Sequence, residues 1–113
     1  MSCVFCKILS GESPAKIIYR DDQVTAFRDI HPIARTHILI IPNRHIDSVN
    51  ELEAKDEALV GHMIMVAKDL AAREGVAENG YRLMINTGVH GGQTIPHLHL
   101  HLIAGKLARF LVG

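Results

Sequence analysis

The run His97-Leu98-His99-Leu100-His101-Leu102-Ile103 sets three imidazoles at a spacing of two residues. In an extended strand, side chains at i, i+2 and i+4 share one face. His97, His99 and His101 are therefore expected on one face, with Leu98, Leu100 and Leu102 on the other, turned toward a core. Strand rise puts neighbouring imidazoles roughly 6–7 Å apart, close enough for a shared ligand or a hydrogen-bond relay. A neutral imidazole nitrogen can attack phosphorus or carbon and form a covalent intermediate. Its other nitrogen then carries a proton, and the acceptor of that proton fixes the tautomer. Imidazolium cations crowded together repel, so some member of the cluster stays neutral near neutral pH. The others can hold an anion or pass a proton to a leaving group. Two rival readings exist. One is a solvated strand face rich in histidine, against which the strict alternation with an unbroken aliphatic face argues. The other is a metal site, since strand histidines two apart can ligate one zinc.

Cys3 and Cys6 form a C-x-x-C pair at the N-terminus. In a reducing compartment a disulfide framework is not expected. What remains is half a metal site, a redox pair or two ordinary thiols. A thioredoxin-like motif needs a strand before the pair, and its place at the N-terminus argues against that.

The elements that must position these residues follow from periodicity and punctuation. Residues 4–9 predict a short helix, ended by the turn Ser10-Gly11-Glu12-Ser13-Pro14. Residues 17–20 and 24–29 read as two strands joined through Asp21-Asp22 as a hairpin. The continuous apolar run over 37–42 predicts a third strand, buried on both faces. Over 55–74, Leu59, Met63, Val66, Ala67 and Leu70 recur three and four apart, the mark of an amphipathic helix with Gly75 at its stop. Residues 81–86 alternate as a fourth strand, a glycine-rich loop follows at Gly88-Val89-His90-Gly91-Gly92, and the fifth strand covers 97–103. The expected fold is α+β: a five-stranded, mainly antiparallel sheet with one long helix and a short N-terminal one.

Composition narrows the function classes. At 113 residues the chain fits a single domain, 1–113, with a small core that oligomerisation would usefully extend. An apolar fraction of 48% with 21% charged residues excludes a disordered chain. Acidic and basic residues balance to zero, so the basic footprint of a nucleic-acid partner is missing. The start lacks a signal-peptide pattern and no apolar run reaches membrane-spanning length, which makes the cytoplasm the expected compartment and excludes a membrane partner.

The histidine run matches the defining His-φ-His-φ-His-φ-φ pattern of the histidine-triad (HIT) family, where φ is apolar. The likeness extends from Phe5 to about Lys106 through Ile17-Ile18-Tyr19-Arg20-Asp21-Asp22, Ala26-Phe27-Arg28-Asp29-Ile30, Thr36-His37-Ile38-Leu39-Ile40-Ile41-Pro42, Gly80-Tyr81-Arg82 and Gly91-Gly92-Gln93-Thr94. The branch it most resembles is the histidine-triad nucleotide-binding proteins. That resemblance implies hydrolysis of the P–N bond of purine nucleoside 5′-phosphoramidates and aminoacyl-adenylates, with no cofactor needed for catalysis. His99 resembles the nucleophile that forms a nucleotidyl-histidine. His101 resembles the phosphate contact, and as histidine at that position it favours a hydrolase over a transferase. His97 would support the cluster and the proton relay.

The same resemblance assigns Asp29 to the ribose hydroxyls, although a strand-end Asp commonly satisfies local backbone instead. It assigns Ile30, Phe27, Phe5 and Ile8 to the purine pocket, positions that would serve equally as core. Asn86, Gly92, Gln93 and Thr94 match contacts on the phosphate side, where glycine lets backbone N–H groups approach an anion. Some members with an N-terminal C-x-x-C bind zinc, which here implies a structural set of Cys3, Cys6, His45 and His97. The family's homodimer, built through the long helix and fourth strand, is the expected assembly.

His31, His37, His62 and His90 stand apart from the triad: His62 in the long helix and His37 at the start of a strand are expected in packing or surface roles, and His90 sits in the glycine-rich loop within reach of the phosphate region. Pro96 stands where relatives place an aromatic residue, Ala104 and Lys106 replace the usual Gly and Arg, and the tail from 107 lacks a Trp-Pro-Pro ending. In the family that tail influences substrate choice. Rival functions are a dinucleoside polyphosphate hydrolase, a nucleotide-binding regulator with incidental turnover, and a metal-dependent enzyme that uses the triad as ligands.

Overall fold

The computed structural model describes residues 3–105. Lys106 and the tail from 107 to 113 lie outside the described residues. Helix α1 (Val4–Ser10) opens the chain, followed by strands β1 (Ile17–Arg20), β2 (Val24–Arg28) and β3 (Thr36–Pro42). Two single 3-10 turns precede helix α2 (Glu57–Arg73), and strands β4 (Arg82–Met84) and β5 (Leu100–Ala104) complete the order. The sheet has five strands in the order β1-β2-β3-β5-β4, and each neighbouring pair is antiparallel. The expected α+β class and both helices are borne out.

Local chemistry explains the boundaries. Gly11 adopts φ 86° and donates its N–H to Ile8, closing α1. Asp21 builds the turn between β1 and β2, its Oδ1 accepting the backbone N–H of Gln23 and of Val24 at 2.8 Å each. At the start of α2, the carboxylate of Asp56 accepts the N–H of Glu53 at 2.9 Å and thereby caps the approach. Gly75, at φ 77°, ends that helix as expected.

Every residue of β3 is buried, and its alternate side chains feed two cores. Ile38 and Ile40 pack with Leu98, Leu100 and Leu102 against Met63, Val66 and Leu70 of α2. Leu39 and Ile41 pack on the opposite face with Phe27 and with Phe5 and Ile8 of α1. The aliphatic half of the histidine run therefore faces the long helix, and the imidazole half faces α1.

Two strands are shorter than the alternation predicts. Strand β5 begins at Leu100 rather than at 97, so His97 and His99 lead into the strand instead of lying in it. Pro96 supplies the reason. It has no N–H to give a ladder, and His97 N–H turns back to the carbonyl of Ile95 at 2.8 Å, a tight turn centred on the proline. Leu98 N–H then goes to Ile46 at 2.7 Å, outside the sheet. Strand β4 covers Arg82–Met84 rather than 81–86, because its partner register ends where Met84 meets His101. Helix α2 starts at Glu57, with residues 54–56 forming a 3-10 turn ahead of it, and β2 stops at Arg28.

Candidate active site

His99 is held for nucleophilic work by backbone. Its Nδ1 lies 2.7 Å from the carbonyl oxygen of His97. A carbonyl only accepts, so Nδ1 carries a proton, and in the neutral ring Nε2 holds the lone pair. The ring is 5% exposed. Phe5 stands edge-on to it at 5.2 Å between centroids, and the His101 ring lies 5.0 Å away.

His101 is fixed by a residue the sequence reading placed in a packing or surface role. The register sets Leu39 of β3 opposite His101, which makes His37 its diagonal neighbour on the same face. Nε2 of His37 lies 2.9 Å from Nδ1 of His101. The backbone N–H of Ile33 donates to His37 Nδ1 at 3.2 Å, so the His37 proton must sit on Nε2. That proton goes to His101 Nδ1 and leaves the His101 proton on Nε2, as a donor. Burial, with the neighbouring His99 and His37, brings the His101 pKa down to about 4. Burial likewise depresses His37, opposed by Asp29 and assisted by His99. Both rings are therefore neutral near neutral pH, and together they form a relay with a single polarity. Only the antiparallel pairing of β3 and β5 could have revealed His37.

Asp29 closes this side. One carboxylate oxygen accepts the N–H of His31 at 2.8 Å, and the other lies 3.4 Å from His37 Nε2. The backbone-satisfying role considered for Asp29 is thus present alongside its place at the histidine cluster. Asp29, His37 and His101 offer ligand atoms within 4.8 Å of one another.

The four residues implied as a zinc set come together from three segments of chain. Cys3, Cys6, His45 and His97 present ligand atoms within 4.8 Å of one another. Cys6 Sγ lies 3.2 Å from His45 Nδ1 and 3.7 Å from His97 Nδ1, and Cys3 Sγ lies 3.5 Å from His97 Nδ1. The far nitrogens are committed elsewhere. His45 Nε2 donates to Asp47 Oδ1 at 2.6 Å, and His97 Nε2 donates to the carbonyl of Pro42 at 3.0 Å. Both Nδ1 lone pairs consequently point at the sulfurs. Histidines that ligate a metal characteristically give their other N–H to a carboxylate or carbonyl in this way. The donor chemistry fits a tetrahedral Cys₂His₂ zinc. His97, 0% exposed, accordingly has neither ring nitrogen available to a proton relay, and it serves His99 through its carbonyl instead.

The remaining predicted residues divide. Phe5, Ile8 and Phe27 are buried and form one apolar wall, with Phe5 and Phe27 edge-on at 5.4 Å. Ile30 is 77% exposed, in the loop after β2. Asn86 donates its amide to the carbonyl of Gly91 at 2.7 Å. Gly91 has no room for a side chain, since a Cβ there would lie 2.2 Å from the carbonyl oxygen of Thr87. Gly92 takes φ 79°, and it and Thr94 are exposed. Gln93 is tied at both ends of its amide, accepting from Gly88 N–H at 3.0 Å and donating to the carbonyls of Asp47 and Ile95 at 2.7 and 3.0 Å. Its side chain braces the loop, and the loop's exposed backbone is what faces outward.

Comparison with known proteins gives the family and the fold. The family model described as scavenger mRNA decapping enzyme C-term binding matches residues 2–110. The purine nucleoside phosphoramidase of Escherichia coli (strain K12) is 54% identical over 103 residues, which covers 91% of this chain and 87% of that protein. Among solved structures, a HIT family hydrolase from Legionella pneumophila Philadelphia 1 superposes with a TM-score of 0.91 at 47% identity, covering 93% of this chain and 94% of that one. A histidine triad protein from Clostridium difficile gives 0.90 at 42% identity, covering 94% and 92%.

Proposed function

The chain belongs to the histidine-triad family, and from that premise we propose that it is a hydrolase of purine nucleoside 5′-phosphoramidates, releasing an amine and the nucleoside monophosphate. The observation that carries this reading is the 2.7 Å hydrogen bond from His99 Nδ1 to the His97 carbonyl, which commits the Nδ1 proton and makes Nε2 the nitrogen that attacks from the neutral ring. The relative named purine nucleoside phosphoramidase, at 54% identity, supplies the substrate class.

In the first step His99 Nε2 forms a bond to the α-phosphorus as the P–N bond breaks, and the nitrogen leaves as amine with a proton taken from solvent. His101, with Nε2–H outward, donates a hydrogen bond to a phosphoryl oxygen as charge gathers there. Thr94 offers a hydroxyl to the leaving nitrogen or to a phosphoryl oxygen. In the second step water attacks the same phosphorus and gives its proton to solvent, the bond to His99 Nε2 breaks, and His99 leaves as a neutral imidazole. Asp29 would accept from the ribose hydroxyls, with Ile30 and the Phe5, Ile8 and Phe27 wall on the base side. Asn86 and the backbone at Gly92 and Gln93 would frame the phosphate.

Zinc held by Cys3, Cys6, His45 and His97 would supply a structural cross-link between α1, the segment after β3 and the approach to β5, and no catalytic step needs it. Thiols free of disulfide suit a reducing cytoplasm, where we place the protein. A homodimer is supported by the open edge of β4, which pairs only with β5 among the described strands, and by exposed Ile64 and Met65 on α2.

Rapid quenching of the protein with adenosine 5′-phosphoramidate, followed by mass spectrometry, tests the mechanism. One adenylyl group should appear on His99, and His99→Ala should lose both adduct and turnover. Full activity in His99→Ala would refute the assignment.

A further inference from the structure

The cysteine–histidine cluster and the loop that would face the phosphate are joined by an unbroken chain of bonds. His45 reaches the cluster through Nδ1 and donates Nε2–H to Asp47 Oδ1 at 2.6 Å. The carbonyl of the same Asp47 accepts Gln93 Nε2–H at 2.7 Å. The other end of that amide accepts Gly88 N–H at 3.0 Å, and the Gly88 carbonyl in turn takes the N–H of Gly91 and of Gln93 itself. Residues 45–47 have no regular secondary structure, so the backbone of Asp47 is held by its neighbours rather than by a helix or a ladder. A metal that fixes the His45 ring also fixes the carboxylate bonded to it, and with it the carbonyl on which Gln93 hangs.

We propose that Asp47 and Gln93 are positioning residues that convert metal occupancy of the Cys3, Cys6, His45 and His97 cluster into order of the glycine-rich loop, 87–93. This goes beyond the hydrolase reading and rests on it only in taking that loop to face the phosphate of a nucleotide. Metal-free protein then has a looser loop and binds nucleotide less tightly, and by linkage nucleotide tightens the metal by the same factor. The Gln93 side chain acts through the backbone of Gly88 and does not itself contact substrate.

The test is amide hydrogen exchange on the full chain, zinc-loaded and chelator-stripped, in wild type, Gln93→Glu and Gln93→Ala. The glutamate keeps the acceptor for Gly88 and loses the donors to Asp47 and Ile95, so it cuts the proposed link while the loop keeps its own bond to Gly88. Zinc should slow exchange over 87–93 by about 10-fold in wild type, a coupling of ordinary size, and by less than about 2-fold in either variant. Exchange of β2 and β3 should be the same in all three and reports that each variant is folded. If Gln93→Ala does not fold, Gln93→Glu decides alone. Asp47→Ala should weaken zinc binding by about 10–100-fold. Equal slowing in wild type and Gln93→Glu, no slowing in wild type, unchanged zinc affinity in Asp47→Ala, or failure of wild type to take up zinc would each overturn the proposal. AMP titrated calorimetrically into the same samples should bind about 5-fold tighter in zinc-loaded wild type. Failure of AMP to bind any sample would sink the purine-nucleotide reading instead, while the exchange result still decides the link.

Discussion

Replacing His37 by Phe keeps a flat ring in a site that is 6% exposed and removes both of its hydrogen bonds. The Ile33 N–H loses its acceptor, and His101 Nδ1 loses the donor now 2.9 Å away. A buried acceptor left unpaired is destabilised by about 1–3 kcal/mol. His101 then has no fixed tautomer, and the form that puts its proton on Nδ1 cannot donate to a phosphoryl oxygen from Nε2. If that penalty falls mainly on the transition state, the rate drops by about 5- to 150-fold at about 1.4 kcal/mol per decade. Single-turnover adenylylation of His99 from adenosine 5′-phosphoramidate measures this step directly. The expected pattern is a fall in kcat with KM little changed, because the lost donor matters most as negative charge develops. His37→Gln provides the control. Its amide nitrogen can reach the position of imidazole Nε2 and donate to His101, so it should recover much of the rate. A rate in His37→Phe within about 3-fold of wild type would refute the relay, as would equal loss in His37→Gln and His37→Phe; the range itself follows from the cost of one unmade buried hydrogen bond.

Phe5→Ala removes the ring that touches Phe27, His97 and His99 edge-on, so it should lower unfolding free energy by roughly 3–5 kcal/mol in a denaturant titration and slow turnover as well. Folding holds His37 and His101 below the usual histidine range, His101 down to about 4, so the unfolded chain binds more protons in between. Stability should therefore be full above about pH 6.5 and decline as the pH falls toward 4, and His101→Gln should flatten that slope in urea titrations at stepped pH. Zinc loading should raise Tm by roughly 10 °C or more, with chelation reversing it, and Cys6→Ser should abolish the shift while the chain remains folded without metal.

Periodicity carried most of the fold. The apolar run of β3 was readable as doubly buried, and the three-and-four spacing of Leu59, Met63, Val66, Ala67 and Leu70 marked the face that α2 buries. What it misplaced was the beginning of β5. Alternation in His97-Leu98-His99 is real, and the leucines do reach the core beside α2. Yet alternation reports which way side chains point, not whether the backbone is in a ladder. Pro96 removes one N–H and His97 spends its own on Ile95, so the first pair of triad residues approaches the sheet without pairing in it. The proline was visible in the sequence. Its consequence depended on the carbonyl of Ile46 lying where Leu98 could donate to it, a contact across 52 residues of chain.

The same distinction explains why the site was only partly readable. Residue type and spacing brought out His97, His99 and His101 as a group, but a group on one face need not share one environment. The turn at Pro96 carries the His97 ring toward Cys3, Cys6 and His45, while the register of β3 against β5 brings His37 and Asp29 to His101. Each end of the triad is thus claimed by a different set of distant residues, and His99 between them is held by backbone and by Phe5. Family resemblance could name the cysteines and His45, because a short motif marks them. It gave no sign of Asp47 or of the bracing role of Gln93, because an outer hydrogen bond has no spacing of its own. A residue that acts by holding another one is specified by geometry between segments, and that geometry exists only once the sheet has closed.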